Sequence, residues 1–170
     1  TLVDNVRIGA TVNNGSANVN GIIIRGALSG NGQVNVNSGT VLIETTGAIA
    51  NGLNFGNSEG HIFAAADNNV SGAMTGSNGL TKSGISTTQF QGDNTGLTGT
   101  LTINDGLVAF TTASNVPGSG SIQVSSRAAQ TGLKWVSQSA PITMARDLEI
   151  LDGMALIQLG TNGGAGQILD

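Results

Sequence analysis

The sequence has no cysteine, which excludes disulfides, thiolate nucleophiles and thiolate metal ligands. A long exported chain that crosses a membrane unfolded shows the same absence, and with the composition it favours export over the cytosol. Charge is nearly as scarce: Asp, Glu, Lys and Arg make up 9% of the residues, against roughly 25% in an ordinary globular domain. The basic residues Arg7, Arg25, Lys82, Arg127, Lys134 and Arg146 are scattered, and the net charge is −4. Neutralising a phosphate backbone takes a clustered basic face, so nucleic acid is not an expected partner. No apolar run, Ile22-Ile23-Ile24 among them, approaches the roughly 18 residues of a membrane helix. No membrane insertion by this segment is therefore expected. The chain opens Thr1-Leu2-Val3-Asp4 without a basic-then-apolar leader, and reads as a mature or excised piece of something longer.

Glycine, by contrast, is abundant at 27 of 170 residues, and hydrophobic residues reach 38%. A chain of this length is normally one domain with a continuous core, and that apolar content is too high for simple disorder. Solubility must come from the hydroxyls and amides of Ser, Thr and Asn. Apolar and polar residues alternate in short segments separated by Gly, Asn, Asp and Ser turns. Val34 and Val36 should face a core, leaving Gln33, Asn35 and Asn37 wet. Val3–Ile8 and Val19–Arg25 read as further strands, and Asn14-Gly15 and Asn20-Gly21 suit corners at positive φ. Gly52-Leu53-Asn54-Phe55 and His61-Ile62-Phe63 continue the series. Beyond Ser125 the pattern loosens. Arg127–Gly132 reads as a loop, Trp135-Val136 as a short strand and Pro141 as a strand edge. Ile142, Met144, Leu148, Ile150, Leu156, Ile157 and Leu159 then resume the apolar stripe. A helix over Met144–Met154 is opposed by Gly153 and the strand-rich neighbourhood.

Ala27-Leu28-Ser29-Gly30 returns as Ala73-Met74-Thr75-Gly76, an offset of about 46 residues or two coils of about 23. Strands that return to one stack at that period give a β-solenoid of roughly seven coils, on the order of 35 Å long. A β-sandwich would show more hairpin turns and more aromatics than the 3% present.

The stretch around residues 70–125 is similar to the passenger-associated transport repeat of bacterial autotransporters. Gly79-Leu80-Thr81-Lys82-Ser83-Gly84 matches its opening and Gly92-Asp93-Asn94-Thr95 its middle. Gly99-Thr100-Leu101-Thr102-Ile103-Asn104-Asp105-Gly106-Leu107 matches its close. Val116–Ile122 and Ala140–Ile142 look like the coils that follow. The sequence departs at Gly84–Phe90, where Ile85-Ser86-Thr87-Thr88-Gln89-Phe90 replaces the usual Gly-Thr-Leu-x-Leu. The resemblance implies an all-β, right-handed parallel β-helix, over residues 1–170 as one domain or an excised segment, on an exported, surface-displayed protein. Its repeat residues would be structural: Gly79, Leu80, Lys82, Gly84, Gly92, Asn94, Thr95, Gly99, Gly106 and Leu107. It implies no activity.

Chemistry finds little support. Lys82-Ser83-Gly84 is like the Lys-Thr-Gly of β-lactamases, but no Ser-x-x-Lys accompanies it. A phosphate loop fails because Thr81 precedes Lys82 and no helix follows. Lys82 should cap a turn or lie over the surface. His61 is the only histidine, with Glu59 on the same face, and a solvated or packed role is expected. Asp67, Asp93 and Asp105 are the candidate acids of a polysaccharide-cleaving site, but Asp in turns follows from local hydrogen bonding. Gly163-Gly164-Ala165-Gly166-Gln167 lacks the Asp of a calcium-binding nonapeptide. Asp147, Glu149 and Asp152 read as a solvated edge. Asn14-Gly15-Ser16 and Asn69-Val70-Ser71 are glycosylation acceptors in a suitable eukaryote and turns in a bacterial setting. Trp135 should cover the apolar end of the rod rather than stack on a sugar. No catalytic, cofactor or metal site is expected.

The function expected is a non-catalytic structural or adhesive module at a bacterial surface or secreted outside the cell. Its partners would be further coils or partner subunits at the coil ends, and surface glycans or host or neighbouring cell surfaces. A phage or virus appendage is the alternative, with a carbohydrate-active enzyme behind both.

Overall fold

The computed structural model describes residues 5–126, 130–136 and 142–159. The strands follow one another as β1 Val6–Ile8, β2 Thr11–Val12, β3 Ser16–Val19, β4 Ile22–Ile24, β5 Leu28–Ser29, β6 Gln33–Val36 and β7 Thr40–Ile43. Next come β8 Ala48–Ile49, β9 Gly52–Asn54, β10 Gly60–Ala64, β11 Asn68–Val70, β12 Met74–Thr75, β13 Leu80–Ser83 and β14 Thr88–Phe90. The last are β15 Leu101–Ile103, β16 Leu107–Phe110, β17 Ile122–Ser126, β18 Gly132–Trp135, β19 Leu148–Gly153 and β20 Leu156–Leu159. A 3-10 turn, Ala113–Asn115, is the one helical element among the described residues.

These strands build three parallel sheets rather than hairpins. The first runs β1-β4-β7-β10-β13-β15-β17-β19, the second β2-β5-β8-β11-β14-β16-β18-β20, and the third, four-stranded, β3-β6-β9-β12. Each strand pairs with its counterpart one circuit later, so the chain is a parallel β-solenoid of about seven turns.

Register shows the stacking directly. Val6 pairs with Ile22, Ile22 with Val41, Val41 with Ile62, Ile62 with Lys82, Lys82 with Ile103, Ile103 with Val124, and Val124 with Ile150. A circuit takes 20 or 21 residues through the middle, shorter than the 23 expected; the first two circuits are tighter and the last is wider. Because side chains alternate across a strand, one residue in two stacks inward. Val34 and Val36 are buried while Gln33 and Asn37 are exposed, as the alternation required. On the second sheet Val70 pairs with Phe90, and Phe110 with Trp135. Thr88 opposite Val108 places Phe110 beside Phe90. Three of the five aromatics in the sequence thus form one internal column.

The internal repeat is not a structural one. Leu28 lies on the second sheet and Met74 on the third. Leu28 stacks on Ile49, and Ile49 on Val70. Both segments place an apolar residue shortly before a glycine, Gly30 at φ +101° and Gly76 at φ +157°, but on strands of different sheets. Gly15 and Gly21 are not at positive φ. At Gly21 a Cβ would come within 2.8 Å of Asn5 Oδ1, a side-chain atom able to shift, and 3.4 Å of the Thr40 carbonyl, so neither backbone angle nor space demands glycine there. Val19–Arg25 divides at that corner into β3 and β4.

The third sheet ends at β12, continued by one bridge between Gly76 and Leu97. Beyond it that side of the rod is built from turns. Met144–Met154 contains β19 and not a helix. Trp135 does not cover the end of the rod: it is 7% exposed, one coil in, with Leu159 opposite and its indole N–H donating to the Thr111 carbonyl. The resumed stripe is less buried than expected, because no described coil lies beyond it. Leu148 is 38%, Ile150 55% and Ile157 38% exposed. Of the expected loop Arg127–Gly132, residues 127–129 lie outside the described residues, Gln130 and Thr131 lead into β18, and Gly132 is already its first residue; the edge at Pro141 and the glycines at 163–166 also lie outside the described residues.

Phe110 is 3% exposed and Phe63 50%. Phe110→Ala should lower unfolding stability by about 3–5 kcal/mol. Phe63→Ala, on the outer face, should cost less than about 1 kcal/mol. Urea denaturation followed by circular dichroism reads both.

Candidate functional site

The most unusual group in the interior is Lys82. It occupies the inward column between Ile62 and Ile103 and is fully buried. Its ammonium donates to the carbonyls of Gly84 and Ser86, in its own turn, and of Asp105, one coil on at 2.7 Å. Three N–H donors meet three acceptors, a match available only to the charged form. Burial pushes the Lys82 pKa down to about 8, while the carboxylates of Asp105 and Asp67 oppose the shift. Gly106, at φ +68°, completes the cradle: a Cβ there would stand 2.4 Å from the Lys82 nitrogen. Lys82 therefore caps turns, as expected, but from inside the rod and not over its surface.

A second cation is spent the same way. Arg146 donates to the carbonyls of Gly120 at 2.6 Å, Pro117 at 2.9 Å and Ser121 at 3.4 Å, and partial burial lowers its pKa.

Asparagines hold the remaining corners. The buried Asn94 accepts the Met74 N–H at 2.8 Å and donates to the Asn115 carbonyl at 2.6 Å. Asn115 donates to the carbonyls of Gln91 and Gly92, both at 2.9 Å, and accepts the Thr112 N–H at 2.9 Å. Asn51 spans earlier coils through the carbonyls of Asn13 at 2.7 Å and Gly32 at 2.9 Å. The repeat-motif residues thus separate into distinct places. Lys82, Gly84 and Gly106 form the cradle. Gly92 and Asn94 form a corner with Asn115, and a Cβ on Gly92 would meet the Gly72 carbonyl at 2.4 Å. Gly79 and Gly99 stack at another corner, both at positive φ. Leu80 and Leu107 are buried. Thr95 lies outside, where its hydroxyl and N–H hold the Asp93 carboxylate below its ordinary pKa. Asn115 and the carbonyls of Ser86 and Asp105 were not singled out from the sequence. The 21-residue offset of Asn94 and Asn115, one coil, is the signal that marks the first.

The outer faces differ. On the third sheet Asn18, Asn35, Asn54 and Thr75 form a closed ladder: Asn35 donates to Asn18 at 2.7 Å, Asn54 to Asn35 at 2.9 Å, and Thr75 to Asn54 at 3.1 Å. On the first sheet Ile23, Leu42 and Phe63 stack outward, and Leu42 and Phe63 floor an apolar groove of about 220 Å³ edged by Thr40, His61, Thr81 and Ser83. On the second sheet a polar groove of about 230 Å³ is lined by Thr46, Asp67, Asn69, Thr87, Gln89 and Lys134.

Catalytic geometry is sparse. His61 Nε2 lies 3.6 Å from Glu59, the His61 side chain half exposed and that of Glu59 less so, and Glu59 also accepts the Thr81 hydroxyl. Asp67 holds the Thr87 N–H at 2.7 Å, Asp93 caps its own turn, and Asp105 lies beside the Lys82 cradle, so the three acids share no one face. Among the described residues no group of three His, Cys, Asp or Glu side chains converges to hold a metal.

The Lys82 pKa gives a signed prediction. Its folded value, about 8, lies below the ordinary 10.5, so between those values the unfolded chain binds the extra proton and stability rises with pH. The gain is roughly 1.4 kcal/mol per unit of pKa difference. The sequence has no Tyr or Cys, so few other groups titrate in this window. Urea unfolding from pH 8 to 10.5 should show the rise in the native chain and lose it in Lys82→Met. That variant should also be less stable at pH 7, since each buried carbonyl left without a donor costs about 1–3 kcal/mol. No family model matches this chain, and neither a curated protein nor a solved structure matches it.

Proposed function

We propose that this chain is a non-catalytic structural and adhesive segment of a bacterial surface-exposed or secreted protein, continued at its coil ends by further coils or by partner subunits. The supporting observation is the last described coil. Leu151 is 55% and Met154 66% exposed, beside the half-exposed Ile150, whereas Val124 in the coil beneath is fully buried. In a solenoid each coil is stabilised by its neighbours, so a further coil or subunit packed over these apolar side chains would stabilise the rod. The scarcity of charge and cysteine fits an exported chain, and a rod with extended outer faces suits display of a binding surface.

Intact-mass analysis and peptide mapping of the native polypeptide, with light scattering for its oligomeric state, test the reading. The expected result is a longer chain carrying further coils, or a stable assembly of shorter chains. A native polypeptide ending near residue 170 and monomeric at high concentration would overturn it.

A further inference from the structure

The polar groove on the second sheet offers hydrogen-bonding groups that the fold itself does not use. Asn69 of β11 and Gln89 of β14 are register neighbours on the outer face, yet neither side chain hydrogen-bonds to a described residue. The same holds for Thr46 and Lys134. The asparagines of the third sheet, placed in equivalent register, close on one another at 2.7–2.9 Å. The amides of the second sheet are therefore held at fixed spacing by a paired backbone and left open.

The groove crosses β11, β14, β16 and β18, successive strands of one sheet. Three steps of about 4.8 Å make it roughly 14 Å long, each step close to the advance of one pyranose ring along an extended glycan. Ala109 of β16, opposite both Gln89 and Lys134, keeps the floor low between them. Asp67 stands at one end and Lys134 at the other, so the charges of the groove cancel. That balance disfavours a polyanion or polycation. Carboxamides both donate and accept, as sugar hydroxyls do. An extended peptide docks by adding to an open sheet edge or by filling apolar pockets; here every strand is paired on both sides and the lining is polar.

We propose that this groove binds a neutral oligosaccharide of about three sugar units lying along the rod axis, with Asn69 and Gln89 as its central hydrogen-bonding groups. The inference deepens the adhesive part of the proposed function and rests on it, but its test is independent: the native chain can prove longer while the groove binds nothing.

The test is a ¹⁵N-NMR titration of the folded chain with maltotriose, cellotriose and N,N′,N″-triacetylchitotriose, with a heparin tetrasaccharide and an uncharged hexapeptide alongside. At least one neutral trisaccharide should give saturable shifts centred on residues 67–69, 87–89 and 134. Asn69→Ala and Gln89→Ala should each weaken that binding about five- to tenfold with the melting temperature unchanged, because neither side chain supports the fold. No saturable shift with any neutral trisaccharide would overturn the proposal, as would shifts centred on Phe63. Tighter binding of the hexapeptide or the heparin fragment at these residues would assign the groove to another class of partner.

Discussion

Through the middle of this rod the inward side chains are buried between the coil above and the coil below. Backbone hydrogen bonds run along the axis from coil to coil. Leu80 donates to Thr100, Leu101 to Ser121 and Ile122 to Asp147. Like residues therefore fall on like residues, and a change in one coil is felt first by its two neighbours. This constraint explains why circuits of 20 or 21 residues dominate the middle, and why apolar side chains reappear at the surface in the last described coil.

The same constraint decides what happens at the corners. A turn breaks the ladder and leaves carbonyls facing inward, where water does not reach and an unpaired group is costly. Amides meet this at Asn51, Asn94 and Asn115; cations meet it at Lys82 and Arg146. In a chain with six basic residues, two are committed to capping backbone carbonyls.

The alternation at Val34 and Val36, the glycine corners and the low aromatic content carried the fold class, because side-chain period and turn chemistry are local properties that a sequence displays. The circuit length and the alignment of Ala27–Gly30 with Ala73–Gly76 were misread, because turns on different faces use the same residues and local pattern does not say which sheet a strand joins. Lys82 was legible as a turn-capping residue but not as a buried one. Its burial depends on the Asp105 carbonyl a coil away, and a charge in an apolar column is not what hydropathy alone selects. Trp135 was misplaced for a related reason: β20 stacks over it. The polar groove escaped the sequence altogether, since Asp67, Gln89 and Lys134 meet only through the stacking of four strands.

Native-state hydrogen exchange, read amide by amide, tests the coil-stacking account most directly. Protection should peak in β10, β13 and β15, fall towards β1 at one end and β19 and β20 at the other, and rank equivalent amides by coil. The Met74 and Leu80 amides, bonded to Asn94 Oδ1 and the Thr100 carbonyl, should be among the slowest. Uniform protection along the chain, or fast exchange in the central coils, would contradict a rod whose stability accumulates from neighbour to neighbour.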